Sequence, residues 1–360
     1  MEKSRKNLRK ILVDLSPVLI ALLIFISTRI AVRNPQFVEK YYSDCVYPVV
    51  AVCLSSFSNL FSISIWDIFW AISIILLITG LFLAIFRKIK AGTFFLRFVQ
   101  VVAVMYIWLY ISWGYNYFRP DIHTRLGWVP PKTDETEFRS VLDTIISGAN
   151  SNYVVFDSTG YSEIDSLIEL SYKMNSACLG ITYPNGSRRN KKMVFNSIME
   201  KSGILGYYGP FFSEIHLTSN ALPSDYPAAL AHEKAHQFGI TNEAEASLFS
   251  YVVCVTSDDQ KLRYSGYMTL LIYFLNDALI LEDYAGLEKK IDRRILHYLY
   301  YRKDYYLNLQ NKTMEKAQSV AYDAYLKTNH IKSGIKNYDQ VVALVISWYN
   351  NSQSGSTIRK

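Results

Sequence analysis

Cysteine is scarce and unpaired in this 360-residue sequence: Cys45, Cys53, Cys178 and Cys254 contain no C-x-x-C couple, which excludes a zinc ribbon and a disulfide framework. Charge is scarce too, at 19% of residues against roughly 25% in ordinary soluble domains. There is no low-complexity tract and no internal repeat, which excludes solenoids and disordered tails as the main architecture. No small-residue cleavage pattern follows the first apolar run, so that run is expected to stay as an anchor. What is abundant is apolar and aromatic surface, 50% hydrophobic and 15% aromatic, concentrated in the first third of the chain. Membrane contact is the direct implication.

Three runs are long enough to span a bilayer: 11–32, 66–86 and about Phe94 to Phe118. The net charge of +7 is explained largely by two basic clusters flanking these runs, Lys3, Arg5, Lys6, Arg9 and Lys10, then Arg87, Lys88 and Lys90. A nucleic-acid partner is therefore not expected, and the basic run Arg188 to Lys192 and the C-terminal basic residues read as solvated loop and tail. With basic flanks inside, three crossings leave everything after residue 119 outside. The segment 41–65 is too polar for a span and too apolar for a loop, so it reads as an interfacial helix. Residues 1–118 thus form a membrane anchor and 119–360 an extracytoplasmic domain, the boundary falling near Arg119-Pro120.

The outer domain reads as mainly helical with a little strand, an α+β arrangement. Helical spacing covers 134–150 and 161–179, with a short strand between them in "NSNYVVFDSTGY", 150–161. The apolar stretch 267–281 is short and broken by Asn276 and Asp277, so a buried helix is expected rather than a fourth span. Alternation in "SEIHLTS", 213–219, predicts a half-exposed edge strand, and "HIKSGIKNYD", 330–339, a break before the last helix. Tyrosine-rich stretches such as "YYGPFF", 207–212, read first as packing, and His123, His297 and His330 stand in no ligand-like spacing.

The chemistry concentrates in "ALAHEKAHQFGITNEAEAS", 229–247. A helix capped near Ser224 or Asp225 and stopped by Gly239 puts His232 and His236 about 40° apart on one face, able to hold one ion together. Glu233 is turned by about 100° and can reach a water on that ion as general base. Zn2+ is the expected cofactor, because two imidazoles, a carboxylate and an open position make a catalytic site. The reversal after Gly239 offers Glu243 or Glu245 as third ligand. His216 on the strand upstream reads as a plain surface histidine first and as a substrate or oxyanion contact second.

"NEAEAS" resembles the pattern in which gluzincin peptidases present their ligand glutamate, which favours Glu243. Ser247 stands where that resemblance implies an aspartate that supports a histidine. Over nearly the full length the chain resembles a family of bacterial membrane-anchored zincins, the domain of unknown function 3810 family (DUF3810). The stretches that carry this are "VEKYYSDCVYPVV", "WGYNYFR", "YYGPFFSEIHLTS", "AHEKAHQFGITNEAEASLFSYVVC" and "YDAYLKTNHIKSGIKNYDQVVALVISWY". The resemblance implies a zincin-like, mostly helical domain, with His232, Glu233 and His236 on the family motif and Glu243 and Glu245 on its Glu-x-Glu-Ala. Lys234 stands where an apolar residue is expected, and Ser247 where asparagine is. The expectation is a multi-pass metallopeptidase of the bacterial inner membrane, acting on peptide or protein substrates in the cell envelope. The rival is a non-catalytic envelope protein with a structural metal and a binding partner.

Overall fold

The structure is a computed structural model that describes residues 2–131, 134–156, 161–186, 188–329 and 340–353. The expected break at 330–339 with His330, and the basic tail at 358–360, lie outside the described residues. In chain order the helices are α1 (Glu2–Ala31), α2 (Pro35–Phe37), α3 (Tyr47–Ser58), α4 (Ile65–Ile85), α5 (Ala91–Ser112), α6 (Ile122–Leu126), α7 (Glu135–Ser151), α8 (Tyr161–Asn175), α9 (Asn196–Lys201), α10 (Tyr226–Gln237), α11 (Glu243–Val255), α12 (Gln260–Ala278), α13 (Tyr284–Glu288), α14 (Arg293–Leu309), α15 (Lys312–Thr328) and α16 (Val341–Gln353). Strands β1 (Asn190–Lys191), β2 (Gly206–Gly209) and β3 (Glu214–Leu217) form one small sheet in the order β1-β3-β2. The fold is mainly helical.

Three helical stretches, Leu12–Ala31, Ile65–Ile85 and Ala91–Ser112, are long and apolar enough to cross a membrane, and they expose most of their surface. The third ends earlier than expected: after Ser112 the chain tightens into a 3-10 turn, Gly114–Phe118. The 41–65 segment, expected as an interfacial helix, is helical as far as Ser58. A π-helical turn, Val38–Val46, leads into α3, whose Tyr47, Pro48, Ala51, Ser55 and Ser58 are buried while Val49 and Phe57 stay exposed. At 12 residues, or about 18 Å, α3 is too short to cross.

The body packs α10, α11 and α12 as a central layer, with α7, α8 and α16 against them, around a core that includes Leu142, Ile168, Leu230, Phe249, Leu271 and Val345. Residues 267–278 of the 267–281 stretch lie in this core as the second half of α12, a largely buried helix, while Leu279 and Ile280 beyond its end are exposed. Two strand expectations fail. Residues 153–156 join no ladder, and β3 is neither half-exposed nor an edge: all four of its residues are buried at the centre of the sheet. The reason is that its polar residues meet protein instead of water. The Glu214 carboxylate accepts from the backbone N–H groups of Ile65 (3.2 Å) and Trp66 (2.9 Å) at the start of α4. A helix N-terminus, with unsatisfied donors and a positive dipole end, is suited to such a buried anion.

The basic run at 188–192 is not a solvated loop either. Lys191 donates to the carbonyl of Ser58 (2.6 Å) and to that of Phe61, and Arg188 pairs with Glu169 at 2.8 Å. Lys234, inside the His-rich helix, is completely buried and lies 2.6 Å from both Asp165 and Glu169. Burial alone would raise the Glu169 carboxyl, but Lys234 and Arg188 outweigh it and hold the group below its ordinary value. That contribution to stability is complete above the unfolded carboxyl value of about 4.3 and is lost as pH falls through the lower folded value. Lys234→Met keeps volume but strands buried carboxylates, so a loss of roughly 3–5 kcal/mol is expected, read as a lowered melting temperature. The gap to wild type should narrow below about pH 4; equal melting at pH 7 would refute the assignment.

Candidate metal centre

α10 begins at Asp225, with Pro227 in its first turn where a missing N–H costs nothing. Its end is set by Gly239, whose φ of 83° belongs to the left-handed region. A side chain there would also meet the Asn116 Oδ1 and the Tyr47 ring at 3.0 Å. Four residues later α11 starts, capped by Asn242, whose side chain accepts from the Glu245 N–H at 2.9 Å. This tight reversal brings Glu243 back over the histidines.

His232 Nε2 lies 3.1 Å from Glu243 Oε2 and 3.2 Å from His236 Nε2, and His236 Nε2 lies 3.4 Å from Glu243 Oε2. These three groups could hold one metal ion. Their outer atoms are tied down. His236 Nδ1 is 2.7 Å from the Ile240 carbonyl, which can only accept, so that nitrogen carries the proton and Nε2 is left as the donor of a lone pair. His232 Nδ1 sits 3.3 Å from the Ser247 hydroxyl, and Tyr322 donates to Glu243 Oε1, leaving Oε2 toward the histidines.

The electrostatics tie Glu243 to the two histidines. Burial opposes the Glu243 charge, yet His236 and His232 overcome it and hold the carboxyl well below its usual range. Burial likewise opposes a charged His236, yet Glu243 pushes it up to about 9. Glu233 behaves differently: burial first, and Glu243 as well, raise its carboxyl above the ordinary value despite the two histidines. It is a more basic carboxylate, buried beside the cluster. Gly206 of β2 makes room for it, since a Cβ there would stand 2.9 Å from Glu233 Oε1 and 2.6 Å from the Leu217 side chain.

The other expected residues fall elsewhere. Glu245 points away, paired with Arg125 and accepting from the Ile122 N–H at 3.0 Å. His216 does not line the cleft: it is fully buried behind β2, stacked under Tyr207 at 4.4 Å and 2.8 Å from the Ser64 hydroxyl. Its expected substrate contact is excluded by that burial. The edge strand bordering the site is β2, whose second edge joins no ladder among the described residues. Leu205 to Tyr208 line a cleft of about 580 Å³ together with His232, Glu233, His236 and Glu243.

Sequence reasoning missed Tyr322, Trp113 and Tyr47. The Trp113 indole donates to the His236 carbonyl (2.9 Å) and the Tyr47 hydroxyl to that of Gln237 (2.7 Å). Arg119 donates to the Gly239 carbonyl at 3.2 Å while forming a two-pronged pair with Glu39, both contacts at 2.7 Å. None stands at a spacing that signals a partner.

Residues 42–346 match the family model described as "Protein of unknown function (DUF3810)", and the chain belongs to that family. No curated protein matches it, and no solved structure does.

The two glutamates are separable by experiment. Glu243→Ala is expected to cut the metal content of purified protein by about tenfold or more, in line with loss of a ligand group. Glu245→Ala should keep the metal and lower the melting temperature, because Arg125 is left buried without its partner. Elemental analysis showing the reverse would move the third ligand to Glu245.

Proposed function

We propose that the protein is a membrane-anchored zinc metallopeptidase. The observation that carries the reading is the convergence of His232, His236 and Glu243 with Glu233 on the neighbouring helix position. Ligand atoms 3.1, 3.2 and 3.4 Å apart are spaced like three corners of a tetrahedron with bonds of about 2.0 Å, the zinc value. Three protein groups leave the fourth corner to water or substrate, the pattern of a catalytic rather than a structural site. A zinc ion held there supplies an acidified water and polarises the scissile carbonyl.

The chain's own residues do the rest. Glu233 accepts the water's proton on its carboxylate and returns it to the leaving nitrogen; its raised basicity suits both steps. Ser247 and Ile240 fix the two rings, and Tyr322 fixes Glu243. The open edge of β2 offers main-chain donors and acceptors to an extended peptide. A structural-metal protein would have no use for a basic carboxylate at Glu233. Basic flanks taken as inside and three candidate crossings support a body outside the inner membrane of a bacterial cell, facing envelope substrates.

Glu233→Gln keeps the shape and cannot take the proton. Zinc content is expected to stay at wild-type level while hydrolysis falls by about 10² to 10⁴. Envelope fragments present with wild type and absent with the variant would supply the readout. Identical fragment patterns at equal metal content would hand the site to the structural reading.

A further inference from the structure

We infer that the substrates are membrane-anchored polypeptides, cut in the stretch that leaves the bilayer; this rests on the peptidase reading above. The observation is how close the cleft lies to the ends of the spans. α5 has 22 residues, about 33 Å, against a hydrocarbon core of about 30 Å, so Ser112 lies at the membrane interface. Trp113 and Tyr117 follow at once, and both line the cleft. One indole ring separates the end of the span from the backbone of a metal ligand, through the Trp113 bond to His236.

The edge strand makes the same connection from the other side. β2 starts at Gly206 beside Glu233 and ends at Gly209, whose Cα faces the Trp66 ring on α4 at about 3.0 Å from an added Cβ. Two residues on, Phe211 packs its ring on Trp66 and Phe69 and accepts from the Trp108 indole on α5 at 3.0 Å. Four strand residues cover about 13 Å. A peptide paired along that edge therefore passes from the level of the aromatic belt to the general base within about five residues.

Below the same tip an apolar groove of about 680 Å³ runs between α4 and α5, lined by Phe69, Ile72, Leu76, Val101 and Val104, with Phe211 at its strand end. It extends from Trp108 to Arg97, about 16 Å along α5. A groove continuous with the strand that guides the peptide fits the substrate's own apolar span, which commits the anchor to a polypeptide segment rather than an acyl chain.

The test uses the full-length protein in lipid nanodiscs. With Co2+ loaded, fluorescence of headgroup-labelled phospholipid should be quenched, and His232→Ala should abolish the effect. With Zn2+, a single-span reporter carrying one mixed-sequence segment directly after the span should be cut within about ten residues of the bilayer. Moving the segment out behind a long flexible spacer, or supplying it without any span, should lower cleavage by about 10² or more, as expected when a tether's effective concentration is lost. An acylated form of the segment should be cut more slowly than the span-tethered form. Bound Co2+ that leaves labelled lipid bright, equal cleavage of tethered and free segments, or an acylated form cut as fast as the spanned one overturns the inference while the peptidase stands. Wild type that cuts no form beyond Glu233→Gln takes both down.

Discussion

The carbonyls at the end of α10 are met from two directions: the turn through Gly239 returns backbone N–H groups to Lys234, Ala235 and His236, and side-chain donors to the last carbonyls arrive from the membrane side of the chain. A helix leaves its last four carbonyls without intrahelical partners. Here Trp113, Tyr47 and Arg119 supply donors to His236, Gln237 and Gly239 in turn. The sheet mirrors this, since Glu214 is held at the opposite kind of helix end, the N-terminus of α4. Negative helix end meets donors and positive helix end meets a carboxylate, so both contacts agree with the dipoles as well as with hydrogen-bond satisfaction. Because the turn at Gly239 rests on this seam, the position of Glu243 over the histidines depends on it.

α10 carries charge on two opposed faces. Positions two apart are turned by about 200°, so Lys234 points away from His232 and into the body. Its ammonium is neutralised there by Asp165 and Glu169, and Arg188 joins the same group. On the front face two carboxylates, Glu233 and Glu243, face two imidazoles, and the balance favours added positive charge. Pairing the rear cation within the body keeps its charge from offsetting that of the front carboxylates.

The part of the site that was legible in sequence is the part built locally. His232, Glu233, His236 and Glu243 lie within twelve residues, and the signals that shape them, Pro227, Gly239 and Asn242, act on their own turn of chain. The spans were legible because length and apolarity decide them. What stayed hidden is long-range. Tyr322 reaches Glu243 across 79 positions, and Trp113 reaches His236 across 123. β3 misled for the same reason: Glu214 and His216 look solvent-facing by alternation, yet the surfaces they meet are Ser64 and the first turn of α4. Arg188 and Lys191 look solvated until Glu169 and the carbonyls after α3 are brought to them.

The abundance of tyrosine follows from the same constraint. A seam between apolar spans and a buried cluster of histidines and carboxylates needs side chains that are apolar over most of their surface and still end in a donor. Burial pushes the phenols of Tyr47, Tyr117 and Tyr325 upward, so they stay neutral and keep their protons for donation. Tyr47 uses its proton on the Gln237 carbonyl, and Tyr117 donates to Tyr325 at 3.0 Å. A lysine or arginine at each point would bring a charge whose desolvation must be offset by a further carboxylate, as Arg119 requires Glu39. Tyr322 takes this to the histidine and glutamate cluster itself: a neutral donor on one oxygen of Glu243 orients the carboxylate without neutralising it. The charge of that carboxylate therefore remains available to the cation side of the site.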